Sequence, residues 1–118
     1  MRKYLEGGRC IEYGAWTLNE GGYHSIPTLS FPGGMLAGCS AGFMNVMKIK
    51  GAHNAMKSGI VAAETIFSWV KNAEIESIKG KSLTEFDENI KNSWITSELK
   101  KSWNFKNGFK YGLYAGLL

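Results

Sequence analysis

The stretch Gly33–Glu64, GGMLAGCSAGFMNVMKIKGAHNAMKSGIVAAE, limits what this chain can fold into more than any other. Met35–Gly38 is a short apolar run closed by glycine, which predicts a buried strand. Gly38, Cys39, Ser40, Ala41 and Gly42 then form a turn of small residues, where backbone can come close to another object. Gly51 opens a helix. Ala52, Ala55, Met56, Gly59, Ile60, Ala63, Ile66, Phe67 and Val70 recur at three- and four-residue spacing, giving one apolar stripe. The first half of that helix is built of small residues (Ala52, Ala55, Ser58, Gly59, Ala62, Ala63), so it can pack tightly on a sheet or a flat ring. Its N-terminus offers free amide donors and a partial positive charge, suited to an electron-rich cofactor edge or a phosphate. Neither a GxGxxG fingerprint nor a GxxxxGK[ST] loop occurs in the chain.

The flanking segments predict short elements. RCIEYG (Arg9–Gly14) alternates like a strand and GAWTL (Gly14–Leu18) like a second one. Asn19-Glu20-Gly21-Gly22 signals a turn, and Ile26 to Gly34, punctuated by Pro27 and Pro32, reads as extended. Lys71–Lys81 is polar and reads as a loop. Ser82-Leu83-Thr84-Glu85 has capping-box form, so a helix should start there. Leu83, Phe86, Ile90 and Trp94 carry its apolar stripe, which Ile95, Leu99 and Trp103 rotate onward past a bend at Asn92-Ser93. Asp87, Glu88 and Glu98 are expected on the solvated face. In the final stretch Gly108, Gly112 and Gly116 recur at every fourth position, a row that lets a helix pack closely. Phe105, Phe109, Tyr111, Leu113 and Tyr114 accompany it. That stretch falls short of the about 20 apolar residues needed to span a bilayer. Its aromatic residues beside Lys100, Lys101, Lys106 and Lys110 suit shallow insertion at an anionic membrane surface.

Charge and cysteines narrow the chemistry. With 14 basic and 10 acidic residues the formal charge is +4, and no RNA- or DNA-reading motif accompanies it, so nucleic acid is not the expected partner. Cys10 and Cys39 lie far apart and fit no metal spacing. His24 reads as a loop histidine; His53 stands at the helix start. No set of side chains forms an acid–base or nucleophile constellation.

The wording of GCSAGFMNV, KIKGAHNAMKSG and AAE, with LEGGRCIEYGAWTLNEGGYHSIPTLSFPGG upstream and FDENIKNSWITSELKKSWNFKNGFKYGLYAGLL downstream, resembles the electron-transfer flavoprotein–ubiquinone oxidoreductase family across nearly the whole chain. The geranylgeranyl-reductase type of flavoprotein is a more distant resemblance. The oxidoreductase resemblance implies an α/β (α+β) fragment of an FAD-dependent, two-dinucleotide-binding flavoprotein: short strands, one long flavin-facing helix and C-terminal helices. Residues 1–32 would end the quinone domain and return to the FAD domain, 33–72 would be the second FAD-binding segment, and 73–118 would lead to a membrane-facing surface. FAD would lie against Gly38, Cys39, Ser40, Ala41, Gly42, Lys50, Gly51, Ala52, His53 and Asn54. Gly38-Cys39 stands where the wider flavoproteins read Gly-Asp. Membrane and quinone would meet Phe105, Phe109, Tyr111, Leu113 and Tyr114.

The same resemblance implies electron flow from electron-transfer flavoprotein through FAD and a four-iron four-sulfur cluster to ubiquinone, at the mitochondrial inner or bacterial cytoplasmic membrane. The cluster needs four cysteines, so its ligands would lie outside this chain. Met47 and Asn107 stand where the family has Pro, and Trp16 and Trp103 where it has Arg. Two alternatives are a flavoenzyme reducing lipid double bonds and a non-catalytic membrane-surface fragment.

Overall fold

The computed structural model describes residues 2–15, 17–72 and 80–114. Trp16, the middle of the expected 71–81 loop, and the end of the glycine row at Gly116 lie outside the described residues. The same holds for Leu117 and Leu118.

The chain from Arg9 to Ala15 is exposed and forms no strand. This corrects the expectation of strands at Arg9–Gly14 and, as far as it is described, at Gly14–Leu18. An alternating sequence becomes a strand only when a neighbour takes its backbone hydrogen bonds, and no described segment pairs with it. The turn after it does form. Asn19 Oδ1 accepts the Gly21 N–H at 3.1 Å, and Gly22 turns the chain at φ 77°.

Strands β1 (Ser30–Phe31) and β2 (Gly34–Met35) make an antiparallel hairpin, pairing Ser30 with Met35 and Phe31 with Gly34. Pro32-Gly33 at its tip, with Gly33 at φ 82°, is the Pro–Gly pairing of a type II turn. The strand expected over Met35–Gly38 thus starts one residue earlier and is shorter. Pairing continues once more through Leu36 N–H to Leu29 O at 2.8 Å. Gly38–Ala41 closes into a single 3-10 turn.

Helix α1 (Ala52–Asn72) runs longer than expected, into the segment read as loop. Its orientation is the main correction. It buries Asn54, Ser58, Val61 and Thr65, which lie on one face at helical spacing. The predicted stripe lies opposite: Met56 is 66% exposed, Ile60 52% and Phe67 68%, and Ala63 and Val70 are also exposed. Each polar residue on the inner face makes a hydrogen bond, although Asn54 Oδ1 has no partner. Ser58 Oγ accepts the Gly38 N–H at 2.9 Å, Asn54 Nδ2 donates to Phe43 O at 2.8 Å, and Asn89 Nδ2 donates to Thr65 Oγ1 at 3.1 Å.

Helices α2 (Thr84–Asn92) and α3 (Trp94–Lys101) meet at the expected bend, where Ser93 is extended. The capping box does not form: α2 starts at Thr84 behind Leu83, with no side-chain cap. Phe86, Ile90, Ile95 and Leu99 are buried and join Leu29, Ala41, Phe43 and Val61 in one core; Trp94 and Trp103 of the same predicted stripe stay about half exposed. The Cα radius of gyration is 19.2 Å, against roughly 13–14 Å for a compact chain of this length.

After α3 come a short helix α4 (Phe105–Gly108) and a 3-10 turn, Phe109–Tyr111. Gly112, at φ 103°, ends it. The glycine row therefore does not lie along one helix, because Gly112 takes a conformation closed to a helix.

Two of the three carboxylates expected in water are not there. Asp87 accepts the Leu29 N–H at 2.9 Å and the Ser30 hydroxyl, tying α2 to β1. Glu98 is treated below, and Glu88 alone is exposed as expected. Asp87→Ala should cost about 1–3 kcal/mol by leaving the Leu29 N–H unpaired. Glu88→Ala should stay within about 0.5 kcal/mol. Urea unfolding of both variants checks the contrast.

Candidate functional site

The turn and the start of α1 are built against each other. Gly38 enters the turn at φ 65° and Gly42 leaves it at φ 79°, both in the left-handed region that favours glycine. A Cβ on Gly38 would sit 3.3 Å from the Ala55 Cβ, so the missing side chain is what lets the turn rest on the helix. Cys39 Sγ accepts the Asn19 N–H at 3.4 Å, which brings the exposed N-terminal run to the same place.

Between the turn and α1 runs a tight loop. Asn45 and Lys50 exchange backbone hydrogen bonds at 2.9 and 3.2 Å, and the Lys48 N–H donates to Asn45 Oδ1 at 3.2 Å. Ile49 closes the loop at φ 53°. A β-branched residue there is strained by roughly 1–2 kcal/mol.

These parts enclose a cavity of about 260 Å³ lined by Leu18, Cys39, Met44, Ile49, Gly51, Ala52 and Ala55. Gly51, Ala52 and Ala55 bring its lining to the N-terminus of α1. The Ala55 N–H is bonded to Gly51 O at 2.9 Å, so the amides of Ala52, His53 and Asn54 come ahead of that first intrahelical bond. The cavity is smaller than the about 300–1,000 Å³ of a complete small-molecule site. It fits one edge of a flat, electron-rich ring, with apolar walls and positive backbone dipoles, and not a whole dinucleotide.

Behind the loop stands Glu98 of α3. Its Oε1 accepts from Asn45 Nδ2 at 2.8 Å and meets His53 Nε2 at 2.9 Å; Lys48 Nζ lies 3.3 Å from Oε2. Trp94, from the same helix, stacks on the His53 ring at 5.6 Å and 4°. Burial alone would raise the Glu98 pKa. The hydrogen bonds from Asn45, His53 and Lys48 and the nearby His53 charge outweigh it and hold the carboxyl at about 2. An ionised carboxylate only accepts, so the His53 Nε2 carries the hydrogen between them.

Of the residues expected at the site, Cys39, Gly51 and Ala52 line the cavity, while Gly38 and Gly42 shape the turn beneath it. Ser40 is exposed. Ala41 and Asn54 are fully buried in the core, so their side chains cannot line an open site. The Asn54 Oδ1 is buried there without a hydrogen-bond partner. Lys50 acts through its backbone, and the His53 side chain turns to Glu98. Leu18, Met44, Ile49 and Ala55 were not singled out as site residues from sequence. Nothing in residue type marks the conformation of Ile49, whereas Ala55, as a small residue of the first helix turn, carried a signal. At the far end Tyr111 and Tyr114 are each 85% exposed and Leu113 63%, whereas Phe109 is half-buried. Phe105 is described by its backbone only. Among the described residues no helix is long and apolar enough to cross a membrane.

The Glu98 pKa links this cluster to pH. Because the folded value is depressed from 4.5 to about 2, its contribution to stability is complete above pH 4.5 and is lost as pH falls toward 2. Glu98→Gln should cost about 1–3 kcal/mol at pH 7, and the gap to the unsubstituted chain should narrow at pH 3. Urea midpoints at the two pH values test this. Ile49→Asn, which tolerates the left-handed conformation, should raise the unfolding free energy by up to about 1 kcal/mol, and the urea midpoints with it.

No protein-family model matches the chain. Over its whole length it is 51% identical to the protein of Homo sapiens named electron transfer flavoprotein-ubiquinone oxidoreductase, mitochondrial, and to that of Pongo abelii; each match covers 121 residues, 20% of the relative. The protein of the same name from Oryza sativa subsp. japonica is 49% identical over 117 residues, 99% of this chain and 19% of the relative. The chain thus spans about a fifth of the length of these curated relatives. From the exposed N-terminal run through the turn, α1 and the α2–α3 pair, it is a homologue of one stretch of the electron transfer flavoprotein-ubiquinone oxidoreductases.

Proposed function

We propose that this chain forms one edge of the FAD site in a flavoprotein that passes electrons from reduced electron-transfer flavoprotein to ubiquinone. The full-length match to proteins of that name carries the reading. The cavity between the Gly38–Gly42 turn and α1 supports it, because its chemistry fits the edge of a flavin.

FAD, when bound, supplies the electron-transfer chemistry; the chain supplies position and electrostatics. The amides of Ala52, His53 and Asn54 face negative charge at the ring edge. With a ring seated there, Met44, Ile49 (79% exposed in the structure) and Ala55 would cover its apolar side, and the absent side chain of Gly38 lets the backbone approach. The iron–sulfur cluster that completes the path would be held by cysteines outside this chain, whose own Cys10 and Cys39 are free thiols. Tyr111, Leu113 and Tyr114, exposed beside Lys110, suit a monotopic contact with the mitochondrial inner or bacterial cytoplasmic membrane near the quinone. The outward apolar stripe of α1 supports a role inside a larger protein, because a stripe this long is seldom left to solvent.

The test is a chimera in which this chain replaces the matched segment of the Homo sapiens relative. It should retain FAD and reduce ubiquinone from reduced electron-transfer flavoprotein. Gly38→Val in the same chimera should lower flavin content by about ten-fold or more, since the side chain would meet Ala55 and demand a left-handed backbone. A folded chimera without flavin would sink the reading. The 118-residue chain alone should not reduce ubiquinone.

A further inference from the structure

We propose that Glu98 is a positioning residue for the cavity wall. Its carboxylate holds the Asn45–Lys50 loop, and with it Ile49, in the shape that faces the cofactor edge. The inference rests on the flavin reading above.

Three observations carry it. First, Ile49 lines the cavity in a conformation that it would not keep unaided. Second, the loop's own fastening is Asn45, which is buried and uses every part of itself. Its backbone pairs with Lys50 in both directions, its Oδ1 takes the Lys48 N–H, and its Nδ2 goes to Glu98. Third, the same Glu98 oxygen meets His53 in the first turn of α1, and Lys48 of the loop reaches the other oxygen. One group on α3 thus fixes the loop and the helix start relative to each other. The titratable groups that face it are Lys48 from the loop and His53 from α1. Trp94 stacked on His53 holds the imidazole in the plane that reaches the carboxylate.

Glutamine at position 98 keeps the shape but cannot accept three donors on two anionic oxygens. The loop then loses the partner that offsets the strain at Ile49, and the cavity wall moves. Glycine at position 49 adopts the same backbone without help, so it should make Glu98 dispensable for the wall while leaving the carboxylate in place.

The experiment compares the chimera described above with its Glu98→Gln, Ile49→Gly and double variants. It reads the backbone amide NMR signals of residues 45–50, the hydrogen exchange of the Lys50 amide, and FAD affinity by flavin fluorescence. Glu98→Gln should shift the loop signals, speed exchange at Lys50 and weaken FAD binding about ten-fold, the loss of one charge-assisted hydrogen bond. In the Ile49→Gly background the same substitution should weaken binding by less than about two-fold. A purely structural role would lower stability equally in both backgrounds and leave this difference at zero. Unmoved loop signals overturn the inference. So do moved signals with unchanged FAD affinity, and so does an equal loss in both backgrounds. A folded chimera without either substitution that binds no FAD overturns the flavin reading and the positioning role with it. The loop signals, read without FAD, distinguish that failure from a failure of Glu98 alone. If Glu98→Gln unfolds, Lys48→Gln, which removes one half-exposed donor, replaces it, with a loss of about three-fold expected.

Discussion

The polar backbone of the Gly38–Phe43 turn has to be satisfied, and α1 does it. Gly38 offers an N–H and Phe43 a carbonyl that no strand takes up; Ser58 and Asn54 meet them at 2.9 and 2.8 Å. Each bond adds only about 1 kcal/mol, but leaving either group buried and unpaired costs about 1–3 kcal/mol. The helix must therefore turn its small polar face inward. Ala55 against Gly38 then sets how close the two can come. The outward direction of Met56, Ile60 and Phe67 is the geometric consequence, because they lie half a helical circumference away.

Much of this was legible in the sequence. The helix opening at Gly51, the small-residue turn, the Asn19–Gly22 turn and the stripe through Phe86, Ile90, Ile95 and Leu99 rest on local rules of spacing and glycine conformation, and they stand in the structure. The inner face of α1 was not legible. Periodicity finds an apolar stripe but cannot say what lies beneath it. Here the hydrogen-bonding demand of a turn 11 to 20 residues upstream in sequence outranked the stripe. The strands expected at 9–18 fail for the complementary reason: alternation describes a strand only if a partner strand exists.

The three carboxylates make the same point at the level of single residues. Asp87, Glu88 and Glu98 look alike in sequence, each on a helix among polar neighbours. Only distance separates them: the Leu29 N–H and the Ser30 hydroxyl reach Asp87 across the fold, and Asn45, Lys48 and His53 reach Glu98. These partners lie 45 to 58 residues away, beyond any local pattern. The chemistry of a carboxylate is set by its donors, so residue type alone placed all three on the solvated face and was right for one.

The two walls of the cavity are held by forces of different kinds, and this bears on what it can do. The α1 wall is fixed mainly by close packing and neutral hydrogen bonds inside the core, with one ionic contact, His53 to Glu98, at its first turn. The loop wall carries a strained Ile49 and is fastened through an ionised carboxylate at its edge. A wall whose conformation is stabilised from outside can yield when its fastening is disturbed, whereas the other cannot without unfolding the core. In the proposed flavin site the rigid wall would supply the helix amides in fixed geometry, and the fastened wall the apolar side. The same carboxylate also meets His53 in the first turn of α1, so the strained loop and the helix start share one fastening.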